Sequence, residues 1–269
     1  MMKEFFKKAA VLFISITLVM TASTFSFGAE RIPATIRVGL YYRDGSVNTE
    51  QSVFDVYAAA GIQIGFFKDD KFTEIYRHSD SSTLYVRKDT FYYNTGRAIK
   101  EYNPASTAKD SIAAFTKYGP YHIKIGNEFQ DAAAAGAQAA AYRQMGIQAY
   151  IVYADMWQVW AGSFIEETTA QAEIANLRTV LGDVGYTVIP PATDRIVLIN
   201  AQFQPLCIFG SNTAYFQMRP APENNPAVIY IKKEPYRCAL EVRRLTNSDM
   251  TVINVVSMQE YLYGNVPAE

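Results

Sequence analysis

The chain has 269 residues, a formal net charge of −1, and 49% hydrophobic against 19% charged residues. That balance supports a packed core and excludes a disordered chain, and without a basic run it lacks the electrostatic footprint of a nucleic-acid binder. Its length allows two compact units once a leader is set aside.

The first segment has three parts. Lys3, Lys7 and Lys8 form a positive start, and Ala9 to Ala22 is apolar except for Ser15, Thr17 and Thr21. Ser26-Phe27-Gly28-Ala29 then offers small residues for cleavage after Gly28 or Ala29. This is the pattern of a secretory signal over residues 1–29. Its apolar run of 14 residues is shorter than the roughly 20 needed to span a bilayer, an uncleaved anchor being the alternative. Either way the remainder is expected outside the cytoplasm.

Thr35 to Tyr42 is β-branched and aromatic and reads as a strand ended by Arg43-Asp44-Gly45-Ser46. Val53 to Tyr57, Ile62 to Phe67, Phe72 to Arg77, Thr83 to Arg87 and Thr90 to Tyr93 continue the pattern, and Asp110 to Tyr118 suggests a short helix. From Tyr121 the texture changes. Tyr121 to Gly126 reads as a strand, and Asp131 to Met145 as an Ala-rich helix with Asp131 at its start and Gly146 as its stop. Strands follow at Gln148 to Tyr153 and Trp157 to Gly162, then a helix at Thr168 to Leu181, then a strand at Tyr186 to Ile189. The order is β-α-β-β-α-β, and it repeats: Tyr121 to Gly126 followed by Phe129 echoes Trp157 to Gly162 followed by Phe164, 36 residues later. Two such halves predict a four-stranded sheet with both helices on one face.

Alternation along a strand divides this sheet's side chains. Ile123, Ile125, Val159 and Ala161 are expected to meet the helices. His122, Lys124, Gln158 and Trp160 fall on the other face, where hydrogen-bonding groups and an aromatic plane suit a sugar ring. A second domain covering that face is the alternative.

Beyond Pro191, Arg195 to Asn200 and Cys207 to Phe209 are strand-like. Val228 to Lys232, Tyr236 to Arg243 and Met250 to Val256 read as antiparallel strands, with Asn247-Ser248-Asp249 turning between the last two. Cys207 and Cys238 are the only cysteines, and sequence leaves open whether they pair. Neither His78 nor His122 has a metal-ligand spacing, and no phosphate loop or nucleophile with a nearby base is found. No metal or cofactor is expected.

The two strand-Gly-Phe-helix units resemble the SPOR domain, the sporulation-related repeat, over residues 118–190. That resemblance implies a βαββαβ fold binding peptidoglycan glycan strands stripped of their stem peptides, with His122, Lys124, Gln158 and Trp160 as candidate contacts. The family often has glutamine where this chain has Lys124. The run Thr251-Val252-Ile253-Asn254-Val255-Val256-Ser257-Met258-Gln259-Glu260-Tyr261-Leu262-Tyr263-Gly264-Asn265-Val266-Pro267-Ala268-Glu269, with Tyr236-Arg237 and Leu240-Glu241, resembles the stage II sporulation protein D family, or amidase-enhancer domain. Ile36 to Leu40 is similar to that domain's opening strand. Two positions depart from the pattern: Cys238 stands where glycine is common, and Asn265 where valine is common.

The combined resemblance implies an α+β protein. A β-rich sporulation-D-type domain (30–117 and 191–269) would carry an inserted SPOR-like module at 118–190. It implies a lytic transglycosylase whose single carboxyl group, mapped onto Glu269, protonates the departing oxygen and then takes the proton of the muramic 6-hydroxyl. Because the substrate supplies the nucleophile, no second carboxylate is required. With Glu269 last, the chain is expected to be a truncated, inactive form. A non-catalytic adaptor that docks on the wall and stimulates an amidase is the main alternative, and a purely structural wall protein a further one. Glu260 is expected to serve a capping box with Ser257.

Overall fold

β-Branched and aromatic runs punctuated by turn residues set most of the chain into strands. The computed structural model describes residues 34–69, 71–107, 109–221 and 228–265. The expected leader (1–29) and Glu269 lie outside the described residues.

In chain order, β1 (Thr35–Tyr41) precedes a small hairpin of β2 (Arg43–Asp44) and β3 (Val47–Asn48). There follow β4 (Val53–Tyr57), β5 (Ile62–Lys68), β6 (Lys71–His78), β7 (Leu84–Lys88), β8 (Tyr92–Asn94) and β9 (Ile99–Glu101). The helix expected at Asp110 to Tyr118 is instead a 3-10 turn (Lys109–Ile112) and a strand, β10 (Thr116–Tyr118). The β-branched and aromatic Thr116 and Tyr118 find strand partners in Asn94 and Tyr92, and pairing outweighs local propensity. Next come β11 (Tyr121–Ile125), α1 (Ala132–Gln144), β12 (Ala149–Ala154), β13 (Met156–Phe164), α2 (Glu167–Leu181) and β14 (Tyr186–Ile189). The chain continues with β15 (Ile196–Ile199), β16 (Pro205–Phe209), β17 (Tyr215–Pro220), β18 (Val228–Ile231), β19 (Glu234–Arg237), β20 (Ala239–Arg244), β21 (Met250–Ser257) and α3 (Met258–Asn265).

Two large sheets organise these strands, making a β-rich α+β protein. One has six strands in the order β1-β21-β20-β17-β5-β6, all antiparallel. The other has ten, in the order β14-β11-β13-β12-β16-β15-β7-β4-β18-β19. A smaller sheet, β10-β8-β9, has three.

The β-α-β-β-α-β segment occupies one end of the ten-stranded sheet in the order β14-β11-β13-β12, with every neighbour antiparallel. Asp131 caps α1, its carboxylate accepting from the Ala134 N–H at 2.8 Å, and Gly146 beyond the helix end has φ +84°, which glycine adopts without a Cβ penalty. The segment is not free-standing. β12 pairs in parallel with β16 through Ile151–Cys207, Val152–Ile208 and Tyr153–Phe209, and so joins the two halves into one continuous sheet.

One face of that sheet carries the larger core. Ile123, Ile125, Val159 and Ala161 pack there with Ala135, Ala139, Ala170, Ile174 and Leu177 of the helices, as alternation requires. Over the other half of the same face lies the six-stranded sheet, through Ile64, Phe216, Met218, Leu240 and Val252. Where helices and sheet meet, Phe66 stacks on Tyr153 with ring centroids 4.1 Å apart, and Trp157 and Phe209 close around them. Much of the aromatic content is therefore core. The opposite face holds a second core in which Tyr92 and Ile99 of the small sheet cover Tyr150, Val152, Trp160, Val197 and Ile208. The described residues from Thr35 onward form one compact unit.

Candidate functional site

The run Tyr236 to Arg243 reads as one strand, yet the structure breaks it in two. Cys238 has φ +64°, in the left-handed region, and there the chain leaves β19 in the ten-stranded sheet for β20 in the six-stranded one. A side chain at such a φ is strained, whereas glycine adopts it freely. Asn254 on the neighbouring β21 holds the corner. Its Nδ2 donates to the carbonyls on both sides of Cys238, Arg237 at 2.8 Å and Ala239 at 3.0 Å.

The same residues anchor the helix that follows. Ser257 Oγ accepts from the Glu260 N–H at 3.1 Å, one half of the expected capping box. The Glu260 carboxylate instead pairs with Arg237. A guanidinium within reach offers a charge-assisted bond that outcompetes the backbone N–H. Arg237, Asn254, Ser257 and Glu260 thus interlock around one corner, and β1 lies beside β21 with Ile36 opposite Val256. The opening strand and the terminal run, distant in sequence, are neighbours.

Beside this corner, Glu241 lies on the outer face of the six-stranded sheet, its side chain fully covered. Arg243 Nε donates to its Oε1 at 2.6 Å, Gln217 Nε2 to its Oε2 at 3.2 Å, and Arg37 Nε approaches Oε2 at 3.4 Å. The Arg37 and Arg243 side chains remain 46% and 33% exposed, and Arg243 lies 3.8 Å from the centroid of the Tyr215 ring. The sequence marks Leu240-Glu241 as part of a motif without indicating a role. Arg243 is two residues along the same strand, but Arg37 and Gln217 lie on other strands, so no local signal names them.

The expectation of an open sheet face bearing His122, Gln158 and Trp160 is corrected. All three are buried, because β8, β9 and β10 fold over that face. Alternation assigns side chains to a face but says nothing of what covers it. His122 Nε2 lies 3.1 Å from Asp89 Oδ2, Nδ1 lies 2.7 Å from the Tyr150 hydroxyl, and the ring stacks on Trp160. Trp160 Nε1 donates to Gln158 Oε1 at 2.8 Å, Gln158 Nε2 to Glu128 Oε1 at 3.0 Å, and Lys124 Nζ to the same oxygen at 3.1 Å. Gln158, Trp160 and Lys124 are thus linked through Glu128, and of the four only Lys124 keeps access to solvent.

Asp89 centres this buried cluster. Arg195 Nε donates to it at 2.7 Å, and Arg87 lies 3.7 Å from its other oxygen. Burial alone would push the Asp89 carboxyl up, but His122, Arg195 and Arg87 outweigh it and hold the carboxyl well below the usual range. Burial pushes the Tyr150 hydroxyl far up. Cys207 and Cys238 are both free thiols, and burial raises Cys207 to about 12, so it is an inert core thiol.

Among the described residues, no group of three or more His, Cys, Asp or Glu side chains is placed to hold a metal ion, and no helix is long and apolar enough to cross a membrane. Comparison with protein-family models, curated proteins and solved structures finds no match to the chain.

Proposed function

We propose that this is an exported cell-wall protein of stage II sporulation protein D type, acting on peptidoglycan glycan strands freed of their stem peptides. The observation that carries this reading is the interlocked corner. Residues that bear the resemblance (Arg237, Asn254, Ser257 and Glu260) interlock around the left-handed Cys238, and in the sequence the helix they anchor is followed by Val-Pro-Ala-Glu. The chemistry is a lytic transglycosylation. In the full-length form, Glu269 protonates the bridging oxygen as it leaves muramic C1 with the glucosamine, then accepts the proton of the muramic 6-hydroxyl as the 6-oxygen bonds to C1 and closes the anhydro ring. The β-α-β-β-α-β segment contributes binding in this reading, by surfaces other than the covered sheet face.

The adaptor is the second reading. The buried acids Asp89 and Glu241 are both committed to guanidinium groups, so neither is free to act as a general acid. The deciding experiment incubates a form that continues past Glu269, and its Glu269→Gln variant, with amidase-treated peptidoglycan. Anhydro-muramic ends are sought by mass spectrometry, and bound protein is measured by co-sedimentation. Ends that disappear in the variant establish the enzyme. Co-sedimentation of both without such ends establishes the adaptor, and failure to sediment with glycan refutes both.

A further inference from the structure

The outer face of the six-stranded sheet gathers positive charge around Glu241. Strands β1, β21, β20 and β17 lie side by side there. Alternation turns Arg37, Glu241, Arg243 and Arg219 outward, away from the core that holds Phe216, Met218, Leu240 and Val242. The other outward positions of these four strands carry no charge. Three guanidinium groups against one carboxylate leave a surplus of two positive charges, in a chain whose net charge is −1.

Glu241 is fully covered, so it meets no ligand itself, but it fixes the donors around it. Arg243 directs Nε and Nη2 at its Oε1 and lies over the Tyr215 ring, and Arg37 approaches Oε2 through Nε. Gln217 donates to the same Oε2 and accepts from Arg219 Nη2 at 3.0 Å. Five side chains from three strands thus hold one another, and a guanidinium placed beforehand loses less freedom when it binds. Among the described residues, Arg37 makes no hydrogen bond through its Nη groups and Arg243 none through Nη1. Those edges remain for a second acceptor, and a carboxylate suits them, because forked planar donors match its two oxygens. In the proposed substrate, hydrolysis of the amide that holds a stem peptide leaves the lactyl group of muramic acid as a carboxylic acid, ionised at neutral pH. Before hydrolysis the same carbon is an uncharged amide carbonyl. The charge of that one group distinguishes a stripped muramic unit from one that still carries its peptide.

Resting on the glycan reading above, we propose that Arg37 and Arg243, set in place by Glu241, bind the lactyl carboxylate of stripped muramic units and so select strands that have lost their stem peptides. Arg37 lies on the edge strand β1, half exposed and at a long distance from Glu241, so Arg37→Ala keeps the fold, which a thermal melt checks. Co-sedimentation compares three probes: amidase-treated peptidoglycan, the same material after carbodiimide coupling of its carboxyl groups to ethanolamine, and peptidoglycan with its stem peptides intact. The parent is expected to bind the first about tenfold more tightly than the other two, the worth of one charge-assisted hydrogen bond. Arg37→Ala is expected to bind all three as weakly as the parent binds the neutralised material. Equal binding of acid-bearing and neutralised glycan by the parent, or an unchanged preference in Arg37→Ala, overturns the carboxylate site and leaves the glycan reading standing. Equal binding of stripped and intact peptidoglycan overturns the lactyl assignment, since carboxylates of the stem peptides would then serve as well. Absence of binding by the parent to every probe overturns the site and the glycan reading together.

Discussion

Two covered carboxylates, Asp89 and Glu241, meet guanidinium groups in opposite settings. Asp89 lies between layers, and its partners His122, Arg195 and Arg87 are covered as thoroughly as it is. It joins the end of β7 to β11 and to the start of β15, so it ties the β-α-β-β-α-β segment to the rest of the sheet. Glu241 is equally covered, but by two arginines that face solvent from the outside of the six-stranded sheet. The first cluster is sealed and acts as a structural tie. The second retains donors that an incoming group can reach. Burial of a charge therefore does not by itself mark a functional site; the exposure of its partners separates the two cases.

The sharpest way to break this contrast is Asp89→Ala. It strands three buried cationic or polar partners and is expected to cost about 3–5 kcal/mol in denaturant unfolding. Glu241→Gln leaves arginines that water can solvate, so a loss of about 1–3 kcal/mol is expected. Equal losses would abolish the distinction. Acid titration sharpens it further. The Asp89 carboxyl is held below its ordinary value of 3.8, so its contribution is fully present above that pH and drains away as pH falls through the lower folded value. The stability gap between the parent and Asp89→Ala should accordingly be flat near neutrality and narrow below about pH 4. Cys238→Gly removes left-handed strain at the corner and should stabilise by about 1 kcal/mol, read as a raised Tm. Smallest of all, Lys124→Ala, which removes an exposed pair with Glu128, should change stability by less than about 1 kcal/mol.

How much of this was legible follows from the range of each interaction. Strand limits such as Val53–Tyr57 and Tyr186–Ile189 follow from composition and turns, and the inward set Ile123, Ile125, Val159 and Ala161 from a period of two. Strand and helix signals along the chain foretold the β-α-β-β-α-β order, and the internal repeat the placing of both helices on one face. Local signals could not foretell that Tyr92 and Ile99 would cover His122 and Trp160, because the covering strands pair elsewhere in the chain. Nor could they split Tyr236 to Arg243 at Cys238, since the run has strand-forming residues throughout and only Asn254, on another strand, shows why the chain turns. β17, with Phe216 and Met218 in the core, was missed among the polar and proline residues around it.

The register of β11 against β14 has a consequence for how this architecture could be taken apart. His122 lies opposite Ile189, so the segment begins and finishes at one place, and excising it would leave cut ends only about 5 Å apart. The backbone would heal easily. The sheet would not, because β16 would lose the parallel partner that covers it and present Cys207, Ile208 and Phe209 on a bare edge open to pairing with other molecules. The parallel seam therefore holds the segment in place even though its two ends meet.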